Sequence, residues 1–150
     1  MTMTITSPTP QTTLALGRRF ATCLTAGEVV LMSGRLGSGK TLFVQGVAEG
    51  LGISDPVMSP TFVIARIYRD GFMPLVHADA YRLSTFAEFE DLDLIDEGYD
   101  GVLMIEWGDS VEEVVGEDHL TIHIEIEGSE RVFSFHPSGE WRDRDLEMLT

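Results

Sequence analysis

Cysteine is nearly absent from this chain of 150 residues, and the single Cys23 excludes an internal disulfide and a cysteine-rich metal site. No apolar run reaches the roughly 18 residues that a membrane-spanning helix needs, so none is expected. The first ten residues lack the basic start and the apolar core of a secretory signal. Because disulfides are rare in reducing compartments, we expect a cytoplasmic protein. The length suits one hydrophobic core, so a single domain is expected over residues 1–150.

Positive charge is also scarce. The net charge is −15, and the ten basic residues are nine arginines and one lysine, Lys40. Such a chain repels phosphate backbones, so it should not bind nucleic acid unaided and should instead meet a basic protein surface. The one lysine stands inside a glycine-rich segment. A site that needs a compact point charge on a thin stem, and cannot fit the planar fork of arginine, would keep a lysine there.

The first third of the chain predicts the order helix, strand, glycine-rich turn, helix. Apolar residues at helical spacing follow Thr9-Pro10, with Ser7 or Thr9 as the N-terminal cap, and Cys23 is expected to be a small core residue of this pattern. A short buried strand then reads GEVVLMSG. After the turn, a helix is predicted over KTLFVQGVAEGLGI, ending near Gly50 or Gly52.

The remaining two thirds predict more strands. Asp70-Gly71 lies between two β-branched or aromatic runs and signals a hairpin, which we interpret as an antiparallel addition to a parallel core. Another buried strand reads GVLMIEW, and the alternating segments HLTIHIEIEG and RVFSFHP predict a terminal hairpin. An acidic helix and loop are expected over residues 84–100 and a short helix over 108–116. The polar tail from residue 138 is expected to fray.

The segment from Gly34 to Thr41, GRLGSGKT, satisfies the full P-loop pattern. Glycines permit positive φ, so consecutive backbone N–H groups can curl around a phosphate, and the following helix directs its positive end at the same group. In this pattern Lys40 bridges the β- and γ-phosphates of a nucleotide and Thr41 offers its hydroxyl to Mg²⁺. The strand before the motif and the helix after it favour nucleotide binding over a chance match.

A P-loop also needs a carboxylate for the metal, generally at the end of a nearby apolar strand. Glu106 ends GVLMIE and Asp79 ends LVHAD, and the longer apolar run favours Glu106 as the residue that holds metal or orients water. Each acid could equally be an ordinary strand end that meets solvent. His119 and His123 are four residues apart, which on a strand separates them by roughly 13 Å, too far for one metal ion. Both are therefore predicted to be surface residues or residues on a face of the strand.

Four segments taken in order, GRLGSGKTLFVQGVAEGLG, SPTF, HADAYRL and IEW, resemble the TsaE family from Thr12 to Asp109. These are small bacterial P-loop ATPases needed to make threonylcarbamoyladenosine in tRNA. The resemblance implies an α/β fold with a P-loop NTPase-like sheet flanked by helices, and antiparallel hairpins added to it. It also implies ATP and Mg²⁺ as cofactors, with TsaD and TsaB as protein partners and tRNA contacted only through that complex.

The resemblance assigns roles to particular residues. Asp79 and Glu106 would serve metal binding and hydrolysis, Thr61 would lie in a switch-like loop near the γ-phosphate, and Trp107 would lie near the nucleotide. The loop that contacts the nucleotide would comprise Arg35, Leu36, Gly37, Ser38, Gly39, Lys40, Thr41 and Leu42. Two of these depart from the family pattern, which usually has an acid where Arg35 stands and commonly a second threonine where Leu42 stands.

Two other functions fit a P-loop chain of this size. A small-molecule kinase would need a second substrate pocket and lid arginines, for which the chain offers at most Arg66, Arg69 and Arg82. A nucleotide-gated adaptor would hydrolyse ATP only incidentally. Guanine specificity is disfavoured, because the Asn-Lys-x-Asp motif needs a lysine and the only lysine is Lys40.

Overall fold

A computed structural model describes residues 2–58, 65–79, 100–106 and 115–150 of the chain. Within these ranges one seven-stranded sheet has the order β1-β7-β6-β2-β5-β4-β3. The four strands from β6 to β4 are parallel, and antiparallel strands border them on both sides. With its flanking helices, this sheet confirms the predicted fold class, an α/β P-loop-like sheet with antiparallel additions. No helix in the described ranges combines the length and apolar character needed to cross a membrane.

The described elements are, in chain order, β1 (Met3–Ser7), α1 (Pro10–Ala21), β2 (Glu28–Gly34), α2 (Lys40–Gly50), β3 (Ala65–Tyr68), β4 (Leu75–Asp79), β5 (Val102–Glu106), β6 (His119–Glu127), β7 (Glu130–Ser138) and two 3-10 turns, Gly139–Asp143 and Glu147–Leu149.

Local signals explain how α1 and α2 begin and end. Thr9 caps α1, its hydroxyl accepting from the Thr12 N–H at 3.1 Å while the Thr12 hydroxyl accepts from the Thr9 N–H at 3.0 Å. This reciprocal pair satisfies two amides that the first helical turn leaves without partners. Helix α2 ends at Gly50, as predicted, and Gly52 follows in the left-handed region at φ 81°.

The predicted hairpins are both present. Strands β3 and β4 pair antiparallel around the turn at Asp70, whose carboxylate accepts from the backbone N–H and the hydroxyl of Ser54. These two hydrogen bonds lower the pKa of Asp70 and fasten the hairpin turn to the segment after α2. Strands β6 and β7 form the terminal hairpin, with Leu120 opposite Pro137. The predicted helices over 84–100 and 108–116 lie largely outside the described residues.

Two expectations about the termini need correction. The first residues form β1, which pairs antiparallel with β7 and sets Met3 opposite Phe135, although no strand was predicted there. The tail does not fray, because Trp141 and Leu149 are buried in the core. The Arg144 guanidinium lies 4.1 Å from the Trp141 ring centre and donates to Glu28 at 2.9 Å. The tail is therefore anchored at the start of β2.

Expectations for three single residues also have outcomes. His119 was predicted to lie at the surface or on a face of its strand; its side chain is buried, and its Nδ1 lies 2.8 Å from the Gly116 carbonyl oxygen. His123 is partly exposed, as expected for a surface residue. Cys23 is half-buried and packs against the edge of the core rather than within it, and burial raises the pKa of its thiol.

Helices α1 and α2 cover one face of the sheet and meet at two glycines. A Cβ added to Gly17 would stand 2.5 Å from the Phe43 carbonyl oxygen and 2.9 Å from the Gly46 Cα. The helix backbones therefore touch directly, and any side chain at Gly17 would push α2 away. Because α2 carries Lys40 and Thr41 in its first turn, this contact also fixes the position of the glycine-rich loop.

We predict that Gly17→Ala destabilises the protein by about 1–3 kcal/mol, because the added methyl group overpacks the contact between the helices. Glycine-to-alanine changes in an exposed helix interior stabilise a protein instead. The sign of the change in the free energy of unfolding therefore shows whether Gly17 is closely packed. Urea unfolding measures the effect, with Gln11→Ala at an exposed position of α1 as the control. A Gly17→Ala protein as stable as the parent would contradict the close packing of the two helices.

Candidate functional site

The loop between β2 and α2 presents backbone amides around an open space. Gly37 and Gly39 have φ of 83° and 105°, in the left-handed region that favours glycine. A Cβ added at either residue would meet nothing within 4 Å. Gly39 also stands at the N-cap of α2 and provides no side-chain cap for the first helical turn. The loop and the helix end can therefore donate backbone N–H groups to an anion such as phosphate.

Lys40 is the cation of this site. The residue is 5% exposed, and its Nζ donates to the Gly34 carbonyl at 2.6 Å and to the Arg35 carbonyl at 3.3 Å. Burial lowers the pKa of the Lys40 amine, while the negative charges of Glu106 and Asp79 act in the opposite direction. The amine is thus held against the loop, within the electrostatic influence of two acids.

Those two acids end neighbouring parallel strands. In the register of the sheet Asp79 lies beside Glu106, and Glu106 lies beside Met32, two residues before Gly34. Both carboxylates are at least nine-tenths buried. The carboxyl ends of parallel strands meet at one edge of a sheet, so this register brings both acids to the start of the loop.

Glu106 also joins the loop to the strands. The Thr41 hydroxyl donates to Glu106 Oε2 at 3.4 Å, and the Nε2 of His77 hydrogen-bonds the same oxygen. No role was predicted for His77 from the sequence. The signal was the spacing His77-x-Asp79, because alternate residues of a strand share a face.

The remaining residues predicted for the site are distributed as follows. Ser38 is fully buried within the loop, and its hydroxyl has no hydrogen-bond partner in the described part of the chain. Leu42 lines a cavity of about 130 Å³ beside the loop, together with Gly37, Ser38 and Arg131. Arg35 and Leu36 lie on the exposed side of the loop. Thr61 and Trp107 are outside the described residues.

The oxygen atoms of the site are suited to a metal ion that is bound together with a phosphate-containing ligand. No three histidine, cysteine or acidic side chains of the described ranges group into a self-sufficient metal cage. Magnesium typically needs only one or two carboxylates, with waters and substrate phosphates completing its shell. Asp79, Glu106 and the Thr41 hydroxyl could supply that share. The geometry therefore brings together four of the residues proposed for the site, Lys40, Thr41, Asp79 and Glu106.

We predict that Ser38→Ala leaves the free energy of unfolding of the ligand-free protein unchanged or slightly raised, because it removes a buried hydroxyl that has no partner among the described residues. The matched control is Ser33→Ala, on the strand that leads into the loop. The Ser33 hydroxyl hydrogen-bonds His123 Nδ1 at 2.7 Å, so its loss should cost about 1 kcal/mol. Chemical denaturation compares the two variants. A larger loss for Ser38→Ala would give its hydroxyl a structural role instead.

Known proteins resemble this chain over most of its length. The family model described as "Threonylcarbamoyl adenosine biosynthesis protein TsaE" matches residues 7–133. The tRNA threonylcarbamoyladenosine biosynthesis protein TsaE of Streptomyces coelicolor is 51% identical over 114 residues, which cover 73% of this chain and 76% of that protein. Its namesake in Bacillus subtilis is 42% identical over 144 residues, 94% of this chain and 89% of the relative.

A solved structure agrees with the sequence matches. The crystal structure of Bacillus subtilis YdiB superposes with a TM-score of 0.79 at 32% identity, covering 95% of this chain and 90% of that one. The chain therefore belongs to the TsaE family, which takes part in the biosynthesis of threonylcarbamoyladenosine in tRNA.

Proposed function

We propose that the protein is a Mg²⁺-dependent ATPase that acts with TsaD and TsaB in the threonylcarbamoyladenosine modification of tRNA. The observation that carries the proposal is the convergence of Lys40, Thr41, Asp79 and Glu106 at the loop between β2 and α2. Membership of the TsaE family supports the part of the proposal that concerns tRNA modification. The convergence of the four residues supports the part that concerns ATP hydrolysis.

The residues present fit a nucleoside triphosphate. The positive-φ glycines, the N-terminus of α2 without a side-chain cap and the buried Ser38 hydroxyl are donors suited to phosphate oxygens. Lys40 donates to two loop carbonyls, both of which could be exchanged for the β- and γ-phosphates. The acids at the strand ends and the Thr41 hydroxyl fit a hard cation that prefers oxygen ligands.

Each side chain then has a task. Lys40 would bind and orient the β- and γ-phosphates, and Thr41 would keep its hydroxyl on the metal side of the loop. Asp79 and Glu106 would hold the metal, with Glu106 also orienting the attacking water. Mg²⁺, when bound, supplies charge stabilisation to the reacting phosphates. By resemblance to the family, Thr61 would respond to the γ-phosphate and Trp107 would lie near the nucleotide.

Charge supports the proposed dependence on partners. At a net charge of −15 the chain is unsuited to binding tRNA alone, so contact with tRNA would come through the complex. Among the described residues two cations hydrogen-bond carbonyls of the loop: Lys40 on Gly34 and Arg35, and Arg131 on Gly37 at 3.4 Å. Of these, Lys40 is the buried one, and its amine interacts with the charges of the two acids. A stabilising cation supplied in trans can raise phosphoryl-transfer rates by about 10³–10⁵. TsaD and TsaB would therefore stimulate a slow intrinsic ATPase.

Lys40→Ala is predicted to abolish tight binding of Mg·ATP while the fold persists, because the only amine that can reach the phosphates is lost. Lys40→Arg should also fail, since the planar guanidinium does not fit the enclosed position of the amine. Calorimetric titration of each variant with ATP is the measurement. Arg142→Ala removes the same charge from an exposed position and should bind like the parent. Parent-like affinity in Lys40→Ala would reject the nucleotide assignment.

Adding TsaD and TsaB is predicted to raise phosphate release from ATP, and Glu106→Gln should lower the stimulated rate by about 10²-fold or more. The substitution is nearly isosteric, so ATP should still bind. Glu127→Gln, at the exposed end of β6, is the matched control and should keep the full rate. The kinase alternative would be favoured if TsaD and TsaB left the rate of ATP turnover unchanged and the phosphate were found on a metabolite instead of in solution.

A further inference from the structure

His77 is fully buried in the middle of β4, and the residues before and after it in the strand are apolar. Its Nε2 hydrogen-bonds Glu106 Oε2, and its Nδ1 is buried with no hydrogen-bond partner among the described residues. A buried imidazole is costly to desolvate, and its hydrogen bond to the described chain goes to the acid that we place in hydrolysis. This arrangement is unusual for a histidine that merely fills the core.

The contact between His77 and Glu106 indicates which ring nitrogen faces the acid. Carboxylate oxygens accept hydrogen bonds, so we assign a proton to the Nε2 that faces Glu106 Oε2. The buried Nδ1 has no hydrogen-bond partner among the described residues.

We infer that His77 is a positioning residue that holds the Glu106 carboxylate in place for the proposed hydrolysis, so the inference rests on the proposed function. Thr41, on α2, and His77, on β4, donate to the same Oε2 from two different elements. Two donors on one oxygen restrict rotation of the carboxylate. Groups that orient a ligand in this way typically change metal affinity or activity by about 10- to 100-fold when removed.

The first test needs no nucleotide. Protein labelled with ¹⁵N-histidine gives imidazole nitrogen signals whose pattern distinguishes the two tautomers, and His77→Gln identifies the signals of His77. We expect the Nε2-protonated pattern for His77, and a clear shift of its Nε2 signal in Glu106→Ala. An Nδ1-protonated ring, or a His77 signal that Glu106→Ala leaves unmoved, would overturn the inference. Because ATP is not involved, these results stand even if the proposed ATPase activity fails.

The second test uses Mg·ATP turnover with both partners present. His77→Leu removes the donor, whereas His77→Gln keeps an N–H that can reach Glu106. We expect kcat to fall about 10- to 100-fold in His77→Leu, with little change in KM for ATP, and to recover largely in His77→Gln. Equal losses in both variants, or a loss in KM alone, would contradict positioning.

His119→Leu is the matched control, because His119 is a second buried histidine at the opposite end of the parallel strands from the loop. It should lower the thermal midpoint and leave kcat unchanged. If His119→Leu and His77→Leu lower kcat alike, the effect of His77 is a general consequence of losing a buried histidine, and the inference is wrong.

Discussion

The common register of the three parallel strands β2, β5 and β4 is the constraint on which the site depends. It places Glu106 beside Met32 and Asp79 beside Glu106, directly before the loop that begins after Gly34. Strand β5 is buried on both faces, so its pairing is strongly specified by packing. A slip of one residue would turn Glu106 to the other face of the sheet and end its contact with Thr41. Packing of the hydrophobic core therefore determines which side chains meet at the start of the loop.

The register of the strands also brings charged groups close together in a buried region. Two carboxylates and the Lys40 amine share a buried region, where charges interact more strongly than in water. The amine is held on backbone carbonyls, the Ser38 hydroxyl has no partner in the described ranges, and the N-terminus of α2 has no side-chain cap. The last two features leave polar groups that phosphate oxygens could satisfy. Functional sites commonly depart in this way from the rule that buried polar groups have hydrogen-bond partners.

The sequence predicted those parts of the fold and site that local signals determine. The capped start of α1, the P-loop strand, turn and helix, and the hairpin at Asp70-Gly71 all depend on residues close in sequence, and all are confirmed. Strand β1 was missed because it is stabilised by pairing with β7, more than 120 residues later. The tail was expected to fray because its apolar residues are few and spaced between charges. The spacing His77-x-Asp79 indicates that the two residues share a face of β4, but the contact of His77 with Glu106 depends on β4 and β5 lying side by side, which residues close in sequence do not indicate.

In the proposed function, the Gly34 and Arg35 carbonyls contact the Lys40 amine where the phosphates of a nucleotide would otherwise do so. A crystal structure of the protein with Mg²⁺ and a non-hydrolysable ATP analogue tests this most directly, through the distances from Lys40 Nζ. We expect Nζ to leave the Gly34 carbonyl, which lies 2.6 Å away without ligand, and to lie within hydrogen-bond distance of the β- and γ-phosphates. A bound analogue whose phosphates lie elsewhere, with Nζ still on the Gly34 carbonyl, would contradict it.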